Sequence, residues 1–413
     1  MAFSMRPFIF STFDEIKSGK VTDIYFNRTV HILKSDGLDR VKVYAEFTLS
    51  GLPKKYKWIF FAGLRDVLKL LEGLPINVYA LPEGTLVTEK DMTGVKIPVL
   101  ALEGNYVDFA IYETPILGFL AAASGFLTKA ARIRKVAGDD VIILNFGARR
   151  PHPAISPLCD YYSYIGGFDA ISNIVGAEIL GKKPTGTMPH ALLIIYRFVK
   201  GDHSKGWEAF HKYMPADVPR ILLVDTFSDE VEEAIKAVET VGPENVFGIR
   251  LDTPSSRRGN FAYIIREVKW KLAIRGYKHI KIVVSGGIDE DAIPELKEAG
   301  AEAFGIGSAI ATAPFIDYAM DIVSLWDGEK WVPLAKRGKF DGRKQVWRKI
   351  DEDKILLRVL PENEKGPEGY EPLLVKWIEN GKIIRELPDP EELRKYVKYQ
   401  LDKIKIDKLP WEG

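Results

Sequence analysis

The sequence predicts an α/β protein: an irregular (β/α) barrel of parallel strands with an N-terminal α/β domain and a β-rich C-terminal extension. Three observations lead to this class. Between about residues 111 and 318, short β-branched runs alternate with amphipathic stretches of period 3.6. Before this region, apolar runs are joined by turns rich in Gly and Pro, and after it Asp-Gly pairs separate runs rich in Trp and Val. A chain of 413 residues has room for the three predicted domains, 1–110, 111–318 and 319–413.

Residues 1–110 are predicted to form the N-terminal α/β domain. Apolar runs such as VYAEFTL (43–49) and KIPVLALEGNY (96–106) predict strands, and LRDVLKLLEGL (64–74) has helical period. The N-terminus lacks the long apolar core and small-residue cleavage site of a signal peptide. The most apolar run, ILGFLAAASGFL (116–127), is 12 residues long, short of the ~20 that span a bilayer, and is predicted to be a buried helix.

The region 111–318 contains the predicted barrel. Five β-branched runs predict parallel strands, at 140–146, 219–227, 246–252, 280–287 and 301–309. Amphipathic segments predict the crossover helices, at 228–242, 260–276 and 289–300. A further unit comes from ISNIVGAEIL (171–180) and the polar turn after it. Six or seven strands are therefore expected rather than eight, so the barrel is predicted to be irregular.

Residues 319–413 are predicted to add strands and one helix. Asp-Gly pairs at 327–328 and 341–342 separate the strand-like runs, which indicates hairpins. PEELRKYVKYQLDKI (390–404) predicts a final helix. We expect this tail to pack against the N-terminal domain.

Composition and charge are typical of a soluble globular protein with no nucleic-acid or membrane partner. The net charge is +1, so any preference for anions must be local. The single cysteine, Cys159, excludes intrachain disulfides and CxxC metal sites, and it fits a reducing compartment such as the cytoplasm. Two glutamines among abundant Lys and Glu are typical of a thermophile.

The carboxyl ends of the predicted barrel strands carry a distinctive set of side chains. Active sites of (β/α) barrels lie at these ends. The set contains a phenylalanine, three arginines, acids, a histidine and short glycine-rich turns. Its members are Phe146, Arg149, Arg150, Thr187, His190, Asp225, Arg250, Asp252, Ser285, Gly286, Gly287, Gly305, Gly307 and Ser308.

Two consecutive strands end in glycine-rich turns, SGG (285–287) and GIGS (305–308). Each is predicted to feed a helix, so unpaired backbone N–H groups would face the site, and glycine lets the backbone approach an anion closely. Barrels commonly hold a phosphate at adjacent final strands. A single such turn is also compatible with a purely structural role.

The charged and aromatic residues suit a polyanionic ligand with a flat ring. Arg149, Arg150 and Arg250 provide planar forks for carboxylate or phosphate, although each could instead pair with surface acids. Phe146 could stack on a ring or belong to the core. The strand-end aspartates could contact ribose hydroxyls or Mg²⁺-bound waters, or cap the following helices. The turn histidine could be a nucleophile or a phosphate contact, or structural.

The order of these motifs resembles nicotinate phosphoribosyltransferase, a family of the type II phosphoribosyltransferase superfamily. FGARR (146–150) and GTMPHAL (186–192) are the specific motifs, whereas SGGID (285–289) and FGIGSAI (304–310) would fit many phosphate-binding barrels. Other matches run in family order, at TDIYF (22–26), YETPILG (112–118), LLVDT (222–226), IRLDT (249–253) and GRKQVWR (342–348).

The resemblance implies a reaction. Nicotinate and phosphoribosyl pyrophosphate would give nicotinate mononucleotide and pyrophosphate, coupled to ATP hydrolysis with Mg²⁺, in NAD biosynthesis or salvage. The pyridine would stack between Phe146 and Tyr25 of a neighbouring subunit, which requires a homodimer or a higher oligomer. Arg149 and Arg250 would face the carboxylate or the phosphates.

The resemblance also implies roles for the remaining polar residues. His190 would accept a phosphate from ATP, and Asp225 and Asp252 would make ribose and Mg²⁺-linked contacts. Relatives that use nicotinamide resemble this chain but carry an acid after the Gly-Thr, where Met188 stands here, and an uncharged residue suits a carboxylate.

Other interpretations remain open. Nicotinamide or quinolinate could replace nicotinate as substrate, although relatives that use quinolinate have shorter chains without the histidine turn. Another barrel enzyme, such as a phospho-sugar isomerase or aldolase, would keep the glycine turns but normally need a lysine or carboxylate base, and no strand-end lysine is found. A non-catalytic nucleotide-binding barrel would show no turnover.

Overall fold

The structure, a computed structural model, describes residues 8–412, and the chain divides into two compact units. The first unit combines the residues up to Thr128 with those from Pro314 onward, and the second is Lys129–Ala313. The chain therefore leaves the first unit and returns to it after the second is complete. The part of the signal-peptide prediction that concerns residues 1–7 lies outside the described residues.

The N-terminal part of the first unit mixes strands and helices. Its helices are α1 (Phe13–Lys17), α2 (Ile24–Ser35), α3 (Leu64–Leu71), α4 (Tyr106–Phe109) and α5 (Glu113–Ala137), the last running on into the second unit. Its strands are β1 (Lys42–Leu49), β2 (Ile59–Phe60), β3 (Asn77–Ala80), β4 (Leu86–Val87) and β5 (Pro98–Asn105). The predicted strands at 43–49 and 96–106 and the predicted helix at 64–74 are therefore confirmed.

The apolar run at 116–127 lies within α5, as predicted. Among the described residues, the helical stretch Tyr106–Ala137 alone is long and apolar enough to cross a membrane, with a mean hydropathy of 1.4. Because 56% of its most apolar window is buried inside the protein, it also has the character of a core helix.

The second unit is built on one parallel sheet. Its strands are β6 (Ile142–Asn145), β7 (Ala170–Ile171), β8 (Ile221–Leu223), β9 (Gly248–Leu251), β10 (Lys281–Ser285) and β11 (Ala303–Ile306). Its helices are α6 (Ser156–Ile165), α7 (Ile174–Ile179), α8 (His190–Lys200), α9 (Ser204–Tyr213), α10 (Glu230–Val241), α11 (Ser255–Arg258), α12 (Phe261–Ala273), α13 (Ile293–Ala299) and α14 (Ser308–Ala311). The order β7-β6-β11-β10-β9-β8 leaves β7 and β8 at the edges, so the six strands form the open, irregular barrel that was predicted.

The C-terminal part completes the first unit. Its elements are β12 (Tyr318–Trp326), β13 (Trp331–Pro333), β14 (Lys344–Ile350), β15 (Ile355–Pro361), β16 (Glu371–Pro372), β17 (Val375–Glu379), β18 (Lys382–Ile383) and helix α15 (Pro390–Asp402). The seven-stranded antiparallel sheet has the order β13-β12-β1-β5-β3-β17-β18. Because β12 pairs with β1 and β17 with β3, the expected packing of the tail against the N-terminal domain is confirmed.

Only one of the two predicted Asp-Gly hairpins forms. β12 and β13 pair across the first Asp-Gly, with Trp326 opposite Trp331. The prediction for the second Asp-Gly, at 341–342, is wrong, because β14 pairs with β15 and β16 in a separate three-stranded sheet. The segment 334–343 between β13 and β14 is too long for a two-residue turn, so it crosses from one sheet to another instead.

An ion pair is buried in the first unit. Glu46 lies on the interior strand β1, directly opposite Asp321 on β12, and Lys344 Nζ lies 2.8 Å from Glu46 Oε2. Both side chains of the Glu46–Lys344 pair are almost fully buried. Burial raises the pKa of Glu46 to about 7, although Lys344 opposes the shift. A buried charge of this kind depends on its partner.

Lys344→Met should destabilise the first unit. It leaves Glu46 buried without its cation, which typically costs about 3–5 kcal/mol. Loss of Lys344 raises the pKa of Glu46 further, so the folded state binds a proton that the unfolded state releases, and the loss should be larger at pH 8 than at pH 6. Urea unfolding at both pH values measures this. Lys69→Met, which breaks an exposed pair with Glu72, is the control and should change stability by less than about 1 kcal/mol. Equal effects of the two variants would contradict the prediction.

Candidate active site

A cavity of about 450 Å³ lies in the second unit, at the carboxyl ends of the parallel strands. The predicted strand-end residues converge there. The lining consists of Phe146, Arg149, Arg150, Ser172, Gly186, Thr187, Met188, Pro189, His190, Arg250, Asp252, Ser285, Gly286, Gly287, Gly305, Gly307 and Ser308. Of the predicted site residues, only Tyr25 and Asp225 are not in this lining.

The turn after β6 places Phe146 and the two neighbouring arginines. Asn145 ends β6, its Oδ1 accepts from the N–H of Gly147 (2.7 Å), and its Nδ2 donates to Asp160 Oδ1 (3.0 Å). Asp160 is fully buried on α6, and burial raises its pKa to about 6. A buried amide and a buried carboxyl therefore fix the turn from beneath.

The phenylalanine ring lies against the neighbouring strand β11. A Cβ at Gly305 would approach ring carbon Cε2 of Phe146 to 2.4 Å, so only glycine leaves room for the ring. On the other side, the guanidinium of Arg250 lies 5.8 Å from the ring centroid. Phe146 is therefore held at the cavity wall with a cation near its face.

The three arginines differ in their surroundings. Arg149 and Arg150 are exposed at the rim, and no ion pair within residues 8–412 includes either of them. Arg250 is buried: its Nη2 donates to the carbonyl of Met188 (2.8 Å), and its Nη1 lies 3.8 Å from Asp252 Oδ2. The Nε–H of Arg250 is buried and makes no hydrogen bond. The surface-pairing alternative therefore fails for the two rim arginines, and donors remain for an anionic ligand.

The two glycine-rich turns are adjacent, because Ser285 on β10 is opposite Gly305 on β11. Gly286 (φ +90°) and Gly287 (φ +70°) are in the left-handed region, which explains the glycines after β10. The prediction that the SGG turn feeds a helix and lies at its N-terminus is wrong in its second part, because α13 begins only at Ile293. On β11 the prediction is confirmed: Gly307 is the N-cap of α14, which has a single turn.

His190 is the first residue of α8 and faces two carboxylates. Its Nε2 lies 3.6 Å from Asp252 Oδ2 and 3.9 Å from Asp225 Oδ1, while its Nδ1 lies 3.1 Å from Thr226 Oγ1. The contact with Asp252 is the largest cause that raises the pKa of His190; burial opposes it, and the charges of both acids add to it. His190 is therefore favoured in its charged form more than an isolated histidine.

The two aspartates have different environments. Burial raises the pKa of Asp225. Burial acts in the same direction on Asp252, but contacts with His190 and Ser285 and the charge of Arg250 outweigh it, so the pKa of Asp252 is lowered. Asp225 lies behind Asp252 and accepts from its backbone N–H through Oδ2 (2.5 Å), while Oδ1 of Asp225 is buried and accepts no hydrogen bond.

The sequence did not predict three lining residues, Ser172, Gly186 and Pro189. Ser172 follows β7, which has two residues and therefore no apolar run to signal a strand end. Gly186 and Pro189 belong to the same turn as Thr187 and His190, so proximity could have indicated them. Tyr25 lies in the first unit on α2, where it is 54% exposed.

A second, smaller cavity of about 160 Å³ lies in the first unit. Its charged lining residues include Glu46 and Lys344, which pair with each other, and Asp321, which pairs with Lys339. Its main charges are therefore already compensated, and the cavity in the second unit is the stronger candidate.

Comparison with known proteins agrees with this geometry. Residues 23–124 match the family described as quinolinate phosphoribosyl transferase, N-terminal domain, and residues 127–321 match its C-terminal domain. A solved nicotinate-nucleotide pyrophosphorylase from Pyrococcus furiosus is 47% identical, with 97% of this chain and 99% of that chain covered and a TM-score of 0.89. Nicotinate phosphoribosyltransferase of Bacillus subtilis is 28% identical over 80% of this chain and 73% of its own. The human nicotinic acid phosphoribosyltransferase structure, 20% identical over 95% of this chain and 96% of its own, shares the fold with a TM-score of 0.77.

Asp252→Asn should lower the pKa of His190, because it removes the largest cause of the raised value. With six histidines in the chain, the imidazole resonances can be followed by NMR titration and His190 assigned from a His190→Asn variant. Asp217→Asn, which removes an exposed acid paired with Lys183, is the control and should leave His190 unchanged. An unaltered His190 pKa in Asp252→Asn would mean that the contact is absent in solution.

Proposed function

We propose that this chain transfers phosphoribosyl from phosphoribosyl pyrophosphate to nicotinate. The premise is that the chain belongs to the nicotinate phosphoribosyltransferase family of the type II phosphoribosyltransferase superfamily. The products are nicotinate mononucleotide and pyrophosphate, and the reaction serves NAD biosynthesis or salvage. The chain is an enzyme whose substrates are small molecules. A cytoplasmic location is supported by the single, buried cysteine, and a thermophilic source by the low glutamine content.

One observation carries the proposal: a flat aromatic side chain, three arginines and two glycine turns line the same cavity. Phe146 suits the pyridine ring, and the free guanidinium donors suit its carboxylate. The turns after β10 and β11 suit the phosphates of the second substrate. A pyridine acid and a phosphorylated sugar together use every one of these features.

The reaction needs orientation and charge stabilisation more than a base. The pyridine nitrogen donates its lone pair to C1 of the ribose while the bond from C1 to the pyrophosphate oxygen breaks, and pyrophosphate leaves with that electron pair. Positive charge develops on the sugar and negative charge on the leaving group, which cationic donors stabilise. The described lining includes no lysine, and none is required because the nucleophilic nitrogen carries no proton.

Mg²⁺ is proposed as the metal, and the acids of the site fit it in part. The described residues contain no group of three or more metal-ligating side chains. Mg²⁺ is often bound by one or two carboxylates together with substrate phosphates, and Asp225, with its unpaired Oδ1, and Asp252 could supply that share. The ion would offset the charge of the pyrophosphate.

ATP coupling is proposed through His190. It is the only histidine in the described lining, and it begins a helix of 11 residues, where a phosphate on the ring would be stabilised by the helix N-terminus. In that step a ring nitrogen would attack the γ-phosphorus of ATP, and ADP would leave with the electron pair of the broken P–O bond. Asp225 and Asp252, which face Nε2, are placed to accept the proton that the ring loses.

A homodimer or higher oligomer is proposed, with Tyr25 completing the site of a neighbouring subunit. Helix α8 supports association, because it exposes four large apolar side chains, including Phe198 at 90% and Val199 at 64%. A solvated apolar patch of this kind usually marks an interface. Tyr25 is exposed as well, so it is available to a second chain.

Nicotinate is favoured over the two alternative pyridines. Met188 is buried and lines the cavity, and its backbone carbonyl accepts from Arg250, so the position offers no acid that could bind an amide. Quinolinate is the substrate in the name of the matching family, and it carries a second carboxylate. Nicotinate is instead the substrate in the name of the Bacillus subtilis relative, which matches 80% of this chain.

The proposed reaction can be tested by its dependence on the pyridine substrate and on ATP. Nicotinate with phosphoribosyl pyrophosphate and Mg²⁺ should give nicotinate mononucleotide, faster with ATP than without it. Nicotinamide should react at least about 100-fold more slowly, because the arginines would be left without their carboxylate. Separation of products by chromatography, with quinolinate in a parallel reaction, measures this.

His190→Ala tests the coupling. It should abolish the stimulation by ATP while leaving some turnover without ATP. His211→Ala, on α9 and outside the cavity lining, should behave as wild type.

In the substrate test with wild-type protein, product from quinolinate but not from nicotinate, or no product at all, would contradict the proposed substrate.

The proposal that Tyr25 completes the site of a neighbouring subunit can be tested by complementation between two variants. Phe146→Ala and Tyr25→Ala should each be nearly inactive. In a symmetric dimer with sites made by two chains, co-expression of the two variants should restore about a quarter of wild-type activity, because half of the dimers are mixed and each mixed dimer has one intact site. Co-expression of Phe146→Ala with Arg149→Ala is the control and should restore nothing, because both changes lie in the same unit. No recovery with Tyr25→Ala would place Tyr25 outside the partner's site.

A further inference from the structure

Glu233 is a buried carboxylate of the second unit that the cavity does not use. It lies on α10, its side chain is 1% exposed, and it is not in the lining. Its oxygens accept three backbone hydrogen bonds, from Thr226 N–H to Oε2 (2.9 Å) and from Phe227 N–H (2.8 Å) and Ser228 N–H (3.0 Å) to Oε1. Three consecutive backbone N–H groups of the turn after β8 therefore donate to one carboxylate.

These bonds are not the ordinary N-cap of α10. Asp229 already caps the helix, because its side chain accepts from the N–H groups of Val231 and Glu232. The carboxylate of Glu233 instead bonds to the preceding turn. His203 closes the other side: its Nε2 lies 3.3 Å from Glu233 Oε1, and its ring packs against Phe227 with centroids 5.2 Å apart.

The turn that Glu233 holds is the one that touches His190. Thr226 donates its N–H to Glu233, and its Oγ1 lies 3.1 Å from His190 Nδ1. Asp225, the residue before it, faces the other ring nitrogen at 3.9 Å. A change in the turn would thus alter the surroundings of both ring nitrogens at once.

We propose that Glu233 is a positioning residue: it fixes Thr226 against Nδ1 and thereby sets the orientation of the His190 ring. What His190 then does in the reaction rests on the proposed function. The placement of the ring itself does not. Glu233 touches neither the ring nor the cavity, so its effect passes through the backbone of Thr226.

Four variants separate this role from general stability. Glu233→Gln replaces one carboxylate oxygen by an NH₂ group, which cannot accept from all three backbone donors. Thr226→Val replaces the hydroxyl with a methyl group of similar size, and Thr226→Ser keeps the hydroxyl. Glu239→Gln, an exposed position on the same helix, is the matched control. Should Glu233→Gln fail to fold, Glu233→Asp, which withdraws the charge by one methylene, takes its place.

The first measurement is the ¹⁵N chemical shift of the two His190 ring nitrogens at one fixed pH, which needs no turnover. Thr226→Val and Glu233→Gln should move the Nδ1 resonance in the same direction, while Thr226→Ser and Glu239→Gln should match wild type. A Glu233→Gln spectrum identical to wild type, with Thr226→Val shifted, would overturn the proposal.

The second measurement is kinetic. Glu233→Gln should lower kcat of the nicotinate reaction with ATP by about 10- to 100-fold, because small displacements of a reacting group have effects of that size. KM for nicotinate should change by less than about twofold, because residues 226–228 are not in the cavity lining that contains Phe146 and Arg149. An equal loss in kcat and in affinity would indicate general damage and overturn the positioning role. If wild type itself shows no turnover, the proposed function fails while the NMR result still decides this assignment.

Discussion

The parallel alignment of six strands is the constraint on which the site depends. In a parallel sheet every strand ends at the same edge, so turns that are far apart in sequence become neighbours. Here the turns after β6, β7, β9, β10 and β11 meet at one cavity, together with the segment that begins α8. Most strand residues are apolar, and apart from Arg250 on β9 the charged side chains of the cavity come from the turns and from the start of α8.

Turns of this kind need internal support, because their backbone groups are not paired by the sheet. Two buried groups provide it. Asn145, backed by Asp160, holds the turn that carries Phe146, and Glu233 holds the turn that carries Asp225 and Thr226. Charge-assisted bonds to backbone N–H groups contribute about 1.5–3 kcal/mol each. Buried polar groups of the second unit thus hold its surface turns in place.

The sequence predicted what depends on local pattern. Strand ends could be found because apolar runs stop abruptly at Phe146, Asp225, Asp252 and Ser285, and parallel strands bring such ends together. The glycine turns could be found because left-handed backbone favours glycine. Thirteen of the fifteen predicted site residues line the cavity: eleven lie at or near the carboxyl ends of strands, and Thr187 and His190 lie at the start of α8.

The features that the sequence did not predict depend on how deeply a side chain is buried and on pairing between strands that are far apart in sequence. Asp225 ends its strand as Asp252 does, but it lies behind that residue and out of the lining, which no periodicity reveals. β14 follows an Asp-Gly pair yet joins a different sheet, because strand pairing is decided by tertiary partners. Glu233 has the sequence context of an ordinary helix position, and only the fold shows that three backbone donors converge on it.

The distribution of charge in the cavity favours one kind of chemistry. Arg149 and Arg150 supply cationic donors at the rim. Asp252 contacts both Arg250, at 3.8 Å, and His190, at 3.6 Å, and the unpaired oxygen of Asp225 also lies beside His190. A reaction that removes a proton from carbon would need a base facing the substrate, and the only carboxylate in the described lining, Asp252, is already engaged by His190, Ser285 and Arg250. Transfer to a ring nitrogen needs no such base. It needs donors for the anionic groups of both substrates, and Arg149, Arg150 and the two glycine turns line this cavity together with the unpaired Nε–H donor of Arg250.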